Sequence, residues 1–393
     1  MQKIQADYEI VTPMFIGGGD KQEEPEIRPP SIKGALRFWW RALQWGECLK
    51  NAGNNAEQAL HELHKQEAVL FGAAFKDNKY GQGKVLLKVK KFPSKTANIL
   101  NLSSGQQYLL GQGLYHFRDG LLQQALASQQ HFSVILKLDN NIDAQPIIDA
   151  LMLFGLLGGL GSRARKGWGS VAIQSLTLTD KENNSQKIAI PDNKDSYKKT
   201  INTILTSLPS SLPPFTAFSG HTRIDLSATT SKLPESLLTE MGEQMQMYRS
   251  YGRNGGSGHK VNGKDAEQNF KEDHDLILSF AQGQRVSEPP RRAVFGLPHN
   301  YFYSNGTKVD VDAEAEQGKT SRRASPLMIH IHQFPSGESI AVQSLLKADF
   351  LPEGRRIQLK DIKGKKTQML KCDVDWTVIT DYLERFQQGE RII

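Results

Sequence analysis

The chain has 393 residues, 38% hydrophobic and 23% charged, enough for two or three hydrophobic cores in an ordinary globular protein. Its 49 basic and 42 acidic side chains leave a formal charge of +7, which favours a polyanionic partner without assigning one. Cys48 and Cys372 stand far apart and lack zinc or redox spacing, which fits a reducing, cytoplasmic setting and excludes a disulfide scaffold. Met1 to Ile10 lacks the apolar run of a secretory signal, and Leu151 to Leu160, the most apolar stretch, is too short to cross a bilayer.

In chain order, loose alternation predicts a strand over Ile4 to Phe15, ending at Gly17-Gly18-Gly19 and an acidic loop from Asp20 to Glu26. Ser31 is the expected N-cap of a helix running to about Cys48, with a second helix over Ala56 to Phe71. Strands follow over Val85 to Val89 and His131 to Leu138, then a helix over Pro146 to Leu157 and a strand over Trp168 to Leu178. This order resembles a ferredoxin-like β-α-β-β-α-β unit with Phe92 to Leu126 inserted. The polar run Thr179 to Ser196 marks a boundary, which gives an N-terminal domain over 1–178 and a C-terminal domain over 197–393. In the second half, Phe215 to Leu226, Ala324 to Phe334 and Ile340 to Phe350 read as strands, and Pro234 to Tyr251 and Asp375 to Gln388 as helices. Residues 253–263 and 305–320 read as loops.

Two basic, glycine-punctuated segments carry the chemistry. On the helix opened by Ser31, a period of 3.6 puts Lys33, Arg37 and Arg41 in one stripe, beside Leu36, Trp39, Trp40 and Leu43. Gly34 and Ser31 are candidate RNA contacts on the same helix, and the helix N-terminus is expected to offer unpaired N–H groups to a phosphate. The second segment threads Gly158, Gly159, Gly161, Arg163, Arg165, Lys166 and Trp168 from a helix into a strand. Its glycines permit close approach of backbone to phosphate, and its cations supply charge. It is neither a P-loop nor a dinucleotide fingerprint, because both lead from strand to helix. No cofactor or metal is expected, and Arg28, Arg291, Arg292, Arg322 and Arg323 are further candidate RNA contacts.

Pro13 to Gly18, Arg28 to Arg41 and the Gly158 to Gly169 loop closely resemble the RAMP superfamily of CRISPR proteins. Within it they are similar to the first-subunit family of the type III-B Cmr effector, with Arg322 to Leu327 similar to a family segment of the second half. The resemblance implies an α+β protein of two tandem ferredoxin-like, RRM-related domains with insertions. It also implies a non-catalytic subunit bearing the 3′ end of a guide RNA, with guide RNA, target RNA and other Cmr subunits as partners. By that analogy Lys33, Arg37, Arg41 and the 163–166 loop meet RNA backbone, and Phe15-Ile16-Gly17-Gly18 form the lip of the cleft.

Two other classes stay open. One is a metal-independent endoribonuclease acting on guide precursors, with His299, His330 or His332 as acid or base. The other is a protein adaptor whose basic patches meet acidic neighbours. Asp20, Glu23, Glu24 and Glu26 lie beside the expected cleft, but a solvated linear run does not supply converging metal ligands.

Overall fold

Strict alternation opens the chain: β1 (Gln2–Ile10) buries Ile4, Ala6, Tyr8 and Ile10 and turns Lys3, Gln5, Asp7 and Glu9 to the opposite face. The computed structural model describes residues 1–17, 24–74, 81–99, 101–111, 113–116, 118–254, 257–315, 320–363, 366–386 and 390–393. The strand ends earlier than the alternation suggests. Val11 leaves the sheet to donate its N–H to Ser170 O (2.8 Å), and Pro13 cannot continue a ladder.

The first half continues with α1 (Pro29–Asn51), α2 (Ala56–Phe71), β2 (Val85–Lys90), α3 (Ser104–Leu110), β3 (His131–Leu138), α4 (Gln145–Leu157), β4 (Val171–Thr179) and β5 (Ser185–Ile188). Its sheet runs β2–β3–β1–β4–β5, each strand antiparallel to its neighbours, and α1 and α4 share the core on its apolar face. Tyr8 ties the layers together: its ring meets Phe132 and Phe154, and its hydroxyl donates to Leu151 O (2.9 Å).

Helix α1 begins two residues before Ser31. Pro29 and Pro30 preset helical φ in the first turn, and Arg28 takes the N-cap position with extended backbone and no side-chain cap. Ser31 therefore lies inside the helix, its N–H donating to Arg28 O (3.0 Å). The polar run expected to be a boundary is also folded. β5 pairs with β4, and a capping box between Asn193 and Ser196 starts the next helix, so the polar side chains serve as caps.

The second half comprises α5 (Lys194–Ile204), β6 (Thr222–Leu226), α6 (Pro234–Arg249), α7 (Lys271–Ala281), β7 (His299–Phe302), β8 (Lys308–Glu314), β9 (Leu327–Gln333), β10 (Ser339–Leu346), β11 (Arg356–Asp361), β12 (Thr367–Lys371), α8 (Thr377–Glu384) and β13 (Glu390–Arg391). One antiparallel sheet runs β9–β10–β6–β13, with α6 and α8 packed in the core beside it. It repeats the strand order and helix placement of β2–β3–β1–β4. A third sheet, β7–β8–β11–β12, interrupts this unit and closes a separate core with Ile277 and Phe280 of α7.

The loop between α4 and β4 joins the halves along β9, which is an edge strand. Ile329 N–H donates to Arg165 O (3.0 Å) and Ile331 N–H to Ser170 Oγ (3.1 Å), while His330 Nδ1 lies 2.7 Å from Gly158 O. The edge that would otherwise present unpaired groups is thus covered. Close approach fixes the glycines: Gly169 has φ +66°, and a Cβ there would stand 2.1 Å from Leu160 O. A Cβ on Gly167, φ +82°, would meet Leu238 Cδ1 at 2.7 Å.

Gly169→Ala is expected to lower the urea midpoint by an equivalent of about 2–4 kcal/mol, combining left-handed strain with a backbone clash. Gly34→Ala, on an open helical surface, is expected to raise it by about 0.5–1 kcal/mol. Equal effects at the two positions would refute this account of the loop.

Candidate nucleic-acid interface

Helix α1 buries Ile32, Leu36, Trp39, Trp40 and Trp45, which leaves Lys33, Arg37 and Arg41 together on its outer stripe. The structure adds an acid to that stripe. Glu67 of α2, buried, accepts from Arg37 Nε (2.6 Å) and Arg41 Nη1 (2.5 Å) through one carboxylate oxygen. The two guanidinium side chains remain 38% and 34% exposed. Glu67 therefore fixes a pair of forks whose outer edges face solvent, and Lys33 lines a depression beside them with Pro29, Pro30, Arg37 and Phe71. The helix N-terminus itself has few N–H groups to offer a phosphate. Pro29 and Pro30 have none, and Ser31 spends its own on Arg28 O. Gly34 stands exposed with open space around it.

The 158–170 loop distributes its residues unevenly. Gly158 is buried with its N–H on Phe154 O (3.1 Å), Gly159 bridges Ser170, and a Cβ on Gly161 would stand 2.4 Å from Phe15 O. Trp168 is buried edge-on to Phe15 (5.3 Å between ring centres) and belongs to the core. Phe15 and Ile16 are buried too, Gly17 O accepts from Arg28 (3.0 Å), and Gly18, Gly19, Asp20 and Glu23 lie outside the described residues. Arg165 donates to Ser325 O (2.7 Å) and lies over the Phe38 ring (5.1 Å). Burial, and then Arg323 nearby, push its guanidinium down to about 10. Arg165 thus serves the junction between the halves.

Arg163 and Lys166 face a cleft of about 400 Å³ together with Arg249 from the end of α6, Arg292, and His299 of β7. Arg163 holds φ +65°, costing an L-residue about 1 kcal/mol, and is steadied by donation to Leu110 O (2.6 Å). Arg249 stacks on Phe295 (4.4 Å), and Arg292 lies between Phe270 (5.4 Å) and Tyr301 (5.0 Å). No carboxylate lines the cleft among the described residues. Lys166 is pushed down to about 7 by burial and then by Arg249, Arg163 and Arg165; its ammonium has only the weak acceptor Met245 Sδ at 3.6 Å. Burial, followed by the neighbouring Arg249, Arg292 and Lys166, holds His299 well below the ordinary imidazole range.

The remaining candidates separate clearly. Arg292 joins the cleft, whereas Arg291 is exposed and paired with Asp375 (3.2 Å). Arg322 is exposed near Arg163, and Arg323 donates to Thr216 (3.1 Å) over the Phe350 ring (5.6 Å). His330 and His332 are buried inside the core: burial pushes His330 down to about 3, and His332 packs against Tyr197. Both are out of reach of an RNA. Glu24 and Glu26 are exposed, and no cluster able to hold a metal occurs among the described residues. Arg249 escaped the sequence reading because it continues the apolar stripe Leu238, Met241 and Met245; a cation on that stripe was the available signal.

Residues 7–172 match the model of the RAMP superfamily. The matched segment is less than half of the chain. It contains α1, the 158–170 loop and the first sheet up to β4. Over 187 residues the chain is 26% identical to the CRISPR system Cmr subunit Cmr1-1 of Pyrococcus furiosus, covering 46% of this chain and 51% of that protein. It is 28% identical over 186 residues to Cmr1-2 of the same organism, covering 43% of this chain and 94% of that one. The match thus spans about half the length of the first relative. The crystal structure of Cmr1 from Pyrococcus furiosus in its apo form shares the fold beyond the matched segment. Its TM-score is 0.53 at 17% identity, covering 100% of this chain and 99% of that one.

Lys166 carries a linkage consequence. Its folded value of about 7 lies below the ordinary 10.5, so between those values the unfolded chain holds a proton that the folded chain does not. Stability is therefore lost as pH falls from 10.5 to 7, and below 7 the penalty is constant. Lys166→Met is expected to stabilise the fold at pH 7 by about 1–3 kcal/mol, with the advantage vanishing near pH 10.5. Urea titrations at the two pH values check this, and a variant less stable than wild type at pH 7 would overturn it.

Proposed function

We propose that this chain is a Cmr1-type, non-catalytic subunit of a type III-B CRISPR effector, which holds guide RNA near its 3′ end, and target RNA, by the backbone. The resemblance to the Cmr1 subunits and the shared fold support this reading. On it, the chain is two tandem ferredoxin-like domains over 1–178 and 197–393. The repeated strand order β2–β3–β1–β4 and β9–β10–β6–β13, each with two helices, supports that division. The effector works in the cytoplasm; among the described residues no helix is long and apolar enough to cross a membrane.

The observation that carries the RNA assignment is the cleft at the junction of the halves. It gathers Arg163, Lys166, Arg249 and Arg292, with no carboxylate among its described lining residues. Cations gathered without acids repel one another and lower stability, and a polyanion relieves that repulsion. The Lys33, Arg37 and Arg41 stripe gives a second set of backbone contacts. Neither surface reads base edges, so sequence choice falls to pairing with the guide. Of the three histidines of the nuclease reading, only His299 lines the cleft. It sits beside Arg249 with no carboxylate to orient it, which favours binding over acid–base work.

Binding of a labelled single-stranded RNA across a salt series tests the reading. Wild type is expected to bind with an affinity that falls steeply with salt and to leave the RNA intact on a denaturing gel. Arg163→Gly, which spares the left-handed backbone, combined with Arg249→Met, is expected to weaken binding at least tenfold and to flatten the salt slope by about 0.7 per lost phosphate contact. Salt-independent or absent binding would favour an adaptor, and cleavage in EDTA would favour a nuclease.

A further inference from the structure

We infer that the cleft at the junction takes a terminal phosphomonoester of RNA, a dianion, in preference to the singly charged phosphodiester of a continuous backbone. The inference rests on the RNA reading above and names the chemical group that the cleft selects.

The donor inventory comes first. Arg249 Nη2 lies 3.3 Å from His299 Nε2, and a guanidinium has no lone pair to accept with, so Nε2 is the acceptor. The neutral ring therefore carries its hydrogen on Nδ1. That Nδ1 is buried and has no hydrogen-bond partner, and Arg249 Nε is in the same state. Lys166 Nζ adds an ammonium whose recorded acceptor is a thioether. Buried donors without acceptors cost about 1–3 kcal/mol each, so two of them, beside an ammonium with only a thioether, mark a missing acceptor.

Charge then selects among acceptors. Arg163, Arg249 and Arg292 supply three fixed positive charges and a protonated Lys166 a fourth, of which buried Asp273, behind Arg292, offsets one. A phosphodiester, at one negative charge, leaves most of that sum uncompensated in a partly desolvated space. A phosphomonoester near pH 7 carries between one and two charges and three terminal oxygens, which matches donors converging from several elements. Its arrival also favours the charged form of Lys166, which the empty cleft disfavours. The volume of about 400 Å³ suits one terminal nucleotide, and exposed Phe302 at the lining offers a face on which its base can stack. A strand passing through must instead bring a phosphate with chain on both sides to the buried donors.

The experiment compares one short single-stranded RNA sequence in three forms: with a 3′-phosphate, with a 5′-phosphate, and with hydroxyls at both ends. Fluorescence anisotropy is read on wild type and on Lys166→Met. One phosphorylated form is expected to bind at least tenfold tighter than the hydroxyl form, and inorganic phosphate at millimolar concentration is expected to remove the difference. Lys166→Met is expected to lower the affinity of every form and to reduce the advantage of the phosphorylated form at least threefold. Equal affinity of all three forms for wild type would overturn the inference while leaving the RNA reading intact. Absence of binding by any form would overturn both. Should the variant fail to fold, the comparison of ends on wild type decides alone.

Discussion

The free edge of β9 is the constraint on which the rest of the structure depends. The strand is buried along nearly its whole length, yet β10 covers only one of its edges. Ile329 and Ile331 would present N–H groups with no partner, each costing on the order of 1–3 kcal/mol if dry. The 158–170 loop answers them with Arg165 O and Ser170 Oγ, and it carries Gly167 where a Cβ would stand 2.7 Å from Leu238 Cδ1 and 3.3 Å from Ile329 Cγ2. This one junction fixes the register between the halves. It also fixes where Arg163, Arg165 and Lys166 point, since their backbone is clamped between two sheets.

Two ways of keeping cations on a surface follow from the surroundings of each. On α1 the arginines share Glu67, so their net charge is reduced and their geometry held, and the outer edges stay available. In the cleft no acid lines the wall among the described residues, and buried Asp273 offsets only part of the charge, from behind Arg292. Aromatic faces take its place: Phe295 under Arg249, and Phe270 and Tyr301 around Arg292, hold the guanidinium groups without neutralising them. Burial first, and then repulsion among the cations, holds Lys166 and His299 low, so the cleft carries a cost in desolvation and in charge. The fold tolerates it because its cores are large. A ligand that neutralised the cleft would recover part of that cost.

Most elements of the first half were legible because local signals and burial agree there. Ala56 to Phe71 and His131 to Leu138 follow from periodicity alone, and Pro29-Pro30 sharpened the start of α1 more than Ser31 did. The second half was legible only where strands are fully apolar, as in β9 and β10. α7 and the sheet of β7, β8, β11 and β12 alternate with charged residues at their exposed positions, and their pairings span long sequence separations. Both basic segments were readable as composition, but composition could not say which way each residue faces. The glycines read as a phosphate cradle, Gly158, Gly159 and Gly161, are consequences of packing against a neighbouring chain segment. Arg249 was invisible because its charge lies on an apolar stripe, and only tertiary structure shows that the stripe ends in a cavity.

The two sheets share an order of elements but solve the edge problem differently. In the first, β2 turns Leu86, Lys88 and Lys90 outward, and lysines along an edge deter pairing with another strand. In the second, β9 carries no such guard: Leu327 to His332 are all buried, with His330 and His332 kept neutral by their surroundings. Such a strand, stripped of the loop, is a template for aggregation. The second unit thus depends on the first for its solubility as well as its register. The cleft, built from Arg163 and Lys166 on one side and Arg249, Arg292 and His299 on the other, exists only when the two are docked. Binding at the cleft therefore stabilises the docking, by the reciprocity that links any ligand to the conformation it requires.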